Sequence, residues 1–274
     1  MNEIFGFDAF SPKEIAEKVD TVGVAKARLP LLPMLMLAVL AGAFIGLGAL
    51  YFVVVKSDPT IGFAARQVLG GVTFALGLIL VIIAGAELFT GNNLLVMAWA
   101  DRKISTVELL RSWLIVCLGN FIGAIGLALL VYLSHHPDMN QGAIAREYIN
   151  IAGAKTSMPF WTAFFRGVLC NALVCLAVWM ALAGRSVVDK AVAIVFPISA
   201  FVAAGFEHSV ANMYFIPMAM LLQLGGATHE AVASITWLDF LSNLVPVLAG
   251  NLLGGTVFVG FIYHVIYQKT EDLS

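Results

Sequence analysis

The stretches AGAELFTGN at residues 84–92 and AGFEHSVAN at residues 204–212 are two copies of one pattern, and each interrupts an otherwise apolar run. They align without gaps at a constant offset of 120 (204 − 84). A second pair follows, GNFIG at 119–123 and GNLLG at 250–254. The identical positions in the first pair are Ala84 and Ala204, Gly85 and Gly205, Glu87 and Glu207, and Asn92 and Asn212. The chain is therefore predicted to consist of two related halves.

The composition is that of a membrane protein. Hydrophobic residues make up 61% of the chain, charged residues only 12%, and the mean hydropathy is +0.94, all far from the usual values for soluble domains. Six regions are long enough to span a bilayer as helices: 31–55, 67–100, 106–133, 159–183, 190–223 and 244–267. Their continuous apolar character favours an all-α fold over a barrel, whose strands would alternate.

The two interrupted regions are the second and the fifth, so each half contains three spans. An odd number of spans per half predicts an inverted repeat around a site near the midplane of the membrane. Glycine and polar residues inside an apolar helix predict a break in each region. A broken helix offers unpaired N–H groups and partial positive charge, which favour an anion. Alternatively, Glu87 and Glu207 serve only as helix-break support, capping the half-helices.

Charge in the loops predicts the topology. Ten of the fifteen Lys and Arg residues lie on one side if the N-terminus is placed in the cytoplasm, which favours both termini inside. The expected organisation is a cytoplasmic amphipathic segment at 1–29, a transmembrane channel domain at 30–268 and a cytoplasmic tail at 269–274. No cleavable signal peptide is visible, and the net charge of −2 gives no indication of nucleic-acid binding.

No cofactor or metal is expected. The cysteines Cys117, Cys170 and Cys175 all fall in predicted spans, where they favour packing over a disulfide or zinc site. An intramembrane enzyme using Glu207 and His208 as acid and base is the rival from another class, but the sequence has no HExxH, GxSxG or phosphate-loop motif. A purely structural or receptor-like membrane protein is a third alternative.

His208 is the histidine placed well inside a span, at a predicted break and beside Glu207. A lone histidine in an apolar helix is usually structural, but this position favours a role in transport. Thr90, in the facing break, has a hydroxyl that both donates and accepts hydrogen bonds and could meet His208 across a pore; bonding to a helix carbonyl is an equal alternative.

Other polar residues have two interpretations each. Asn171 and Asn212 lie in apolar helix, where an amide needs partners; a pore-lining role and a role in bonding between helices are equally supported. Asn120 and Asn251, flanked by small residues, are interpreted as helix-packing positions. Lys155, expected in the outer loop before the fourth span, either draws anions toward an outer vestibule or is simply solvated.

Three longer motifs carry a family resemblance: GAELFTG at 85–91, LCNALVCLAVWMA at 169–181 and GFEHSVANMYFIPMA at 205–219. In this order, and over nearly the whole chain, they resemble the formate/nitrite transporter family. The resemblance implies an aquaporin-like protomer with interrupted second and fifth helices, assembled as a homopentamer in which every protomer has its own pore. It places the central histidine at His208, the loop threonine at Thr90 and the vestibule lysine at Lys155.

The same resemblance places pore asparagines at Asn171 and Asn212 and a hydrophobic constriction at five positions. These are Phe74, Leu78, Leu88, Phe89 and Phe201. Glu87 and Gly91 depart from the Asp and Ser of formate channels and are more typical of nitrite-type members, whereas GRSVVDKA at 184–191 resembles the formate type. Formate is the expected substrate, with nitrite or hydrosulfide as alternatives.

The N-terminal segment is predicted to form a short amphipathic helix, because Ser11, Pro12 and Glu14 form a helix-start signal. In the family this region lies at the cytoplasmic mouth and can move with pH; an interfacial helix without a gating role is an equal alternative.

Protonation is a competitive route for a weak-acid anion. Desolvating an anion in a dry pore costs at least several kcal/mol, whereas protonating an acid of pKa near 4 at pH 7 costs about 4 kcal/mol. His208 is therefore expected to donate or share a proton with the anion, which crosses as the neutral acid or paired with imidazolium.

The protein is expected in a bacterial inner membrane, with anions, protons and lipid as its partners.

Overall fold

The computed structural model describes residues 10–227 and 232–267, and its elements are helices. The first nine residues and the expected tail at 269–274 lie outside the described part. The helices are α1 Pro12–Ala27, α2 Leu31–Lys56, α3 Phe63–Phe74, α4 Leu76–Leu80, α5 Val96–Ala100, α6 Thr106–Leu133, α7 Ala143–Thr156, α8 Phe160–Ala183, α9 Val187–Ala203, α10 Ser209–Leu224, α11 Trp237–Gly255 and α12 Ile262–Tyr267. Short π-helical turns at Val81–Gly85 and Thr256–Phe261 extend α4 and join α11 to α12.

All six predicted regions are helical. Five continuous stretches are long and apolar enough to cross a bilayer, including Phe63–Gly85 in the second region and Trp237–Tyr267 as the sixth, which begins seven residues before the predicted 244 (244 − 237). The fifth region is divided into α9 and α10. The surface that holds α1 and the 101–105 and 184–186 connections is called the N-terminal face below, and the other one the opposite face.

Both predicted breaks are present and have the same local geometry. Gly85 has φ +83° and Gly205 φ +70°, a left-handed conformation that glycine adopts without the penalty of a Cβ. The chain then runs extended, at Ala86 with φ −153° and at His208 with φ −109°. The repeat in the sequence is therefore a repeat of backbone conformation, with one glycine ending each first half-helix.

The halves pack in the same way. In the first half α6 lies against α2, and in the second α11 lies against α8. A Cβ on Gly123 would overlap the carbonyl oxygen of Val39, and one on Gly254 would overlap that of Val168. The last glycine of each GNxxG motif thus permits close contact between two spans, as small residues do in membranes.

Helix α1 begins with the predicted capping box, since Ser11 and Glu14 each bond the other's backbone N–H. Its apolar side chains Ile15 and Val19 are buried against a cluster on the N-terminal face that includes Met97 and Trp179. On the opposite face, α7 was not predicted. Lys155 lies in its last turn, not in a loop, because the 14-residue helix α7 covers that side of the bundle.

Candidate functional site

The two breaks meet through Thr90 and His208. The Thr90 Oγ1 atom lies 3.0 Å from His208 Nε2, and both residues are buried. His208 also caps α10, because its Nδ1 accepts a hydrogen bond from the Ala211 N–H at 3.1 Å. Since Nδ1 accepts, the neutral ring carries its proton on Nε2 and donates it to Thr90. The Thr90 hydroxyl hydrogen is then left for another acceptor.

A cavity lies on each side of this contact. On the N-terminal face a cavity of about 540 Å³ is lined by Leu78, Leu88 and Glu87 among others. Toward the opposite face a smaller one of about 90 Å³ is lined by His208, Phe74 and Phe201 among others. Leu88 and His208 are equivalent in the repeat, so each copy presents this position to its own cavity.

Aromatic rings form the wall of the smaller cavity. Phe74 meets Phe201 edge to face at 5.8 Å between centroids, and Phe201 stacks on the His208 ring at 6.0 Å. Phe52 meets Phe74 at 6.3 Å. Phe89 is also buried but lines neither cavity. Four of the five predicted constriction residues thus line one cavity or the other, and the role of all five as a constriction stays a prediction.

On the opposite face, the Glu207 carboxylate is held by two side chains. Lys155 Nζ lies 2.8 Å from one oxygen, and the Asn212 amide donates to the other at 2.7 Å. The Lys155 side chain is only 14% exposed, lines the smaller cavity, and lies 5.7 Å from the Phe215 ring centroid. Lys155 is therefore not a simply solvated surface lysine, which was one of its two predicted roles.

The same arrangement exists around Glu87, with a cation that the sequence did not single out. Lys26, from the last turn of α1, lies 2.9 Å from the Glu87 carboxylate, and Asn92 donates to its second oxygen at 2.7 Å. Lys26 also lines the larger cavity. Each cavity is therefore lined by a lysine paired with a buried glutamate, and Lys190 also lines the larger cavity.

Two asparagines hold the broken backbone, a function that the sequence analysis missed. Asn120 donates to the Glu87 carbonyl at 2.9 Å and accepts from the Phe89 N–H at 2.9 Å. Asn251 donates to the Glu207 carbonyl at 3.0 Å and accepts from the Ser209 N–H at 2.9 Å. They were interpreted as packing positions; the adjacent glycines do the packing, and the amides pair backbone groups that the breaks release.

Asn171 bonds several elements together, since its amide donates to Asn93 Oδ1, to the Thr90 carbonyl and to the Asn251 carbonyl. Asn212 donates to Glu207 and to Asn243. The carbonyl oxygens of Asn171 and Asn212 are buried and have no partner within the described residues. Bonding between elements therefore accounts for the amide groups, and a pore role of these two oxygens stays a prediction.

No group of three or more metal-ligating side chains occurs among the described residues. The cysteines are free; Cys170 and Cys175 are buried and Cys117 is partly exposed.

These features define a multi-pass membrane channel with two interrupted helices and a pathway between them. The formate/nitrite transporter family model matches residues 13–265, and the chain belongs to that family. It is 37% identical to the formate channel FocA of Escherichia coli K12 over 277 aligned positions, covering 97% of both chains. It is 40% identical to the formate channel BtFdhC of Bacillus thuringiensis, covering 95% of this chain and 97% of that one. Family membership decides against the enzyme alternative.

Solved structures agree with this assignment. A pentameric formate channel with formate bound superposes with a TM-score of 0.78 at 34% identity, covering 86% of this chain and 97% of that one. An aquaglyceroporin from Plasmodium falciparum superposes with a TM-score of 0.56 at 14% identity, covering 89% of this chain and all of the other. The second likeness concerns the fold alone, and it confirms the aquaporin-like architecture.

Proposed function

We propose that this protein is a formate channel of a bacterial inner membrane, with both termini in the cytoplasm. The observation that carries the proposal is the Thr90–His208 contact between two cavities, each lined by a lysine that pairs with a buried glutamate. Similarity to formate channels over 97% of the chain supports the substrate, and the excess of basic residues on the N-terminal face supports the orientation. The division into segment 1–29, channel domain 30–268 and tail 269–274 belongs to the same proposal.

Lys26 and Lys155 concentrate anions at the two ends of the pathway. Each ammonium is close to a carboxylate, so it attracts an anion without being an uncompensated buried charge. A small carboxylate that reaches either cavity exchanges water for this ammonium and for aromatic or aliphatic walls. Both cavities therefore accept an anion. Their apolar walls oppose its further passage while it stays charged.

The substrate takes up a proton from water in the entry cavity, crosses the central pair as the neutral acid and returns the proton to water beyond it. Protonation at pH 7 costs an acid of pKa near 4 about 4 kcal/mol, which is comparable to the desolvation of a charged group. The neutral His208 ring donates to Thr90, and the Thr90 hydroxyl donates to an oxygen of the substrate. These donors replace hydrogen bonds that the substrate loses with its water.

An imidazolium route is less compatible with this geometry. A doubly protonated ring needs an acceptor at Nδ1, but the Ala211 N–H points at that atom. Forming the cation therefore requires the α10 cap to open. The two alternatives for His208 thus differ in structure: sharing a hydrogen bond keeps the cap, and donating a proton from imidazolium breaks it.

A homopentamer with one pathway per protomer is proposed from the similar solved channel, which is pentameric. Many large apolar side chains lie exposed along the spans, including Leu110, Leu118 and Phe196. Lipid and neighbouring protomers together account for such a surface.

The purified protein in liposomes tests the proposed function. Formate, nitrite, hydrosulfide and chloride are offered separately at several pH values, with and without a pH gradient. We expect formate uptake to increase when the pH is lower outside the liposomes than inside. We also expect chloride to be excluded. Faster uptake of nitrite than of formate would assign the chain to the nitrite type, and no uptake of any anion would favour the structural or receptor alternative.

A further inference from the structure

A cleft of about 840 Å³ opens on the N-terminal face and is separate from the anion pathway. Trp99, the second-to-last residue of α5, lines this cleft. The Trp99 indole N–H donates to Thr106 Oγ1 on α6 at 3.0 Å, and its ring meets Phe261 edge to face at 6.2 Å. Trp99 thus joins the two walls of the cleft, α6 on one side and the turn before α12 on the other.

Basic side chains form the rim of this cleft, and the acidic groups beside them are already engaged. Glu108 accepts from Arg28 at 2.9 Å with one oxygen and from the Ser105 N–H at 2.7 Å with the other. Lys103 bridges the carboxylates of Asp20 and Asp101 at 2.7 and 3.1 Å. These carboxylates are consequently poor partners for a further guanidinium.

Arg102, unlike Arg28 and Lys103, is a basic residue of the rim that is not paired with a carboxylate among the described residues. Its side chain is exposed and has no hydrogen bond or ion pair within the described residues. Its backbone is left-handed, with φ +58°, at the position after a helix where glycine is usual. A non-glycine residue pays a steric penalty for this conformation, so the guanidinium stands at the rim of the cleft at some cost to stability.

Below the rim, the walls continue as two apolar stripes. On α6 the exposed residues Val107, Leu110 and Leu114 follow one another along one face of the helix, and Phe258 and Ile262, one turn apart on the other wall's segment, are exposed as well. Such exposed apolar surface in a membrane protein faces hydrocarbon or another apolar chain. The cleft therefore has a basic rim at the level of the membrane surface and apolar walls directed into the bilayer.

We propose that this cleft binds one anionic phospholipid per protomer. The phosphate lies against Arg102 and the remaining N–H groups of Arg28, Trp99 lies at the level of the glycerol, and the acyl chains follow the two apolar stripes. A basic pocket between spans next to the membrane surface is the chemistry that anionic headgroups select, and an indole is favoured at that depth. The proposal does not depend on which anion the channel conducts.

Native mass spectrometry of the intact protein tests this, with phosphatidylglycerol and phosphatidylcholine as the probes. We expect one phosphatidylglycerol per protomer, retained more strongly than phosphatidylcholine. The main variant is Arg102→Gly, since glycine accepts the left-handed backbone and misfolding is not expected. Its binding of phosphatidylglycerol should be about five-fold weaker, the effect of one cation near a lipid surface, while Arg102→Lys keeps most of it.

Arg185→Gln is the matched control, because Arg185 is exposed on the same face but does not line the cleft. Unchanged lipid binding in this variant is expected. Equal retention of both lipids, or full phosphatidylglycerol binding in Arg102→Gly, would overturn the proposal. Complete displacement of the lipid by millimolar inorganic phosphate would also overturn it, because that result would indicate a site for a free anion. Loss of subunits instead of lipid would overturn it as well, because that result would assign the cleft to a second copy of the chain.

Discussion

Glu87 and Glu207 are held in the same way on opposite sides of the pathway, each between a lysine ammonium and an asparagine amide. The two lysines come from unrelated helices, Lys26 from α1 and Lys155 from α7. An inverted repeat therefore has equivalent ion pairs at its two ends although the cations lie outside the repeated motif. Under the proposed function, this arrangement would place an anion-attracting group at both entrances of the pathway.

Removing either lysine should destabilise the protein. Lys155→Met leaves Glu207 as a buried carboxylate without its cation, which costs roughly 3 kcal/mol. Lys26→Met should cost less, because the Lys26 side chain is 28% exposed and that of Lys155 14%. Thermal unfolding in detergent measures both. The double variant Lys155→Met/Glu207→Gln should recover much of the loss; no recovery would show that the ion pair is not the cause.

The hydrogen bonds by which Asn120 and Asn251 clamp the broken backbone should contribute to the stability of the protein. Asn251→Leu leaves the Ser209 N–H and the Glu207 carbonyl without their side-chain partner, at a cost of about 1–3 kcal/mol for each buried group. Asn120→Leu should have the equivalent effect in the first half. Unfolding temperature and formate flux are the measurements. Asn150→Ala is the control, because Asn150 is exposed and bonds only Glu147; a similar loss there would contradict the clamp.

Glycine at the second break is required by conformation. Gly205→Ala forces a Cβ into φ +70° and should destabilise by about 1–2 kcal/mol, although no atom lies in the space of the new methyl group. Gly126→Ala in α6 also meets open space but has helical backbone, so it should stabilise by up to about 1 kcal/mol. Opposite shifts in unfolding temperature are expected, and shifts of the same sign would contradict the conformational explanation.

Docking of α1 should depend on pH through Asp20. Burial raises the pKa of the Asp20 carboxyl from 3.8 to about 6, and its hydrogen bond to Asp101 adds to this. Lys103 contacts both carboxylates, and His264 contacts Asp101. A raised pKa means that docking takes up a proton, so this contribution is complete below pH 3.8 and is lost as pH rises through about 6.

Hydrogen exchange of α1 between pH 5 and 8, corrected for the intrinsic rate, measures that dependence. Protection should decrease as pH rises through about 6 and then level off in the wild type, and it should stay constant in Asp20→Asn, which is neutral throughout. Protection that increases with pH would contradict the sign of the effect.

Much of the architecture followed from the repeated motif, because glycine and glutamate inside apolar sequence have few structural explanations. The repeat placed Thr90 in the break that faces His208 but left bonding to a helix carbonyl as an equal alternative, and the 3.0 Å contact comes from the structure. Lys26 did not follow from the repeat, since it corresponds to Lys155 at an offset of 129 (155 − 26), not at 120, and belongs to a helix outside the repeat. The clamp by Asn120 and Asn251 was hidden because adjacent glycines gave their motif a sufficient explanation as a packing surface.

Passage of the substrate as a neutral acid should depend on the Thr90–His208 pair. The most direct measurement records formate uptake and internal pH together in liposomes, for the wild type, Thr90→Val and His208→Phe, over a range of external pH. In the wild type, one proton should enter with each formate. In both variants uptake should be about ten-fold slower, as expected for the loss of a buried hydrogen-bond donor or acceptor. Unchanged uptake with an unchanged pH dependence in His208→Phe would contradict this role of the pair.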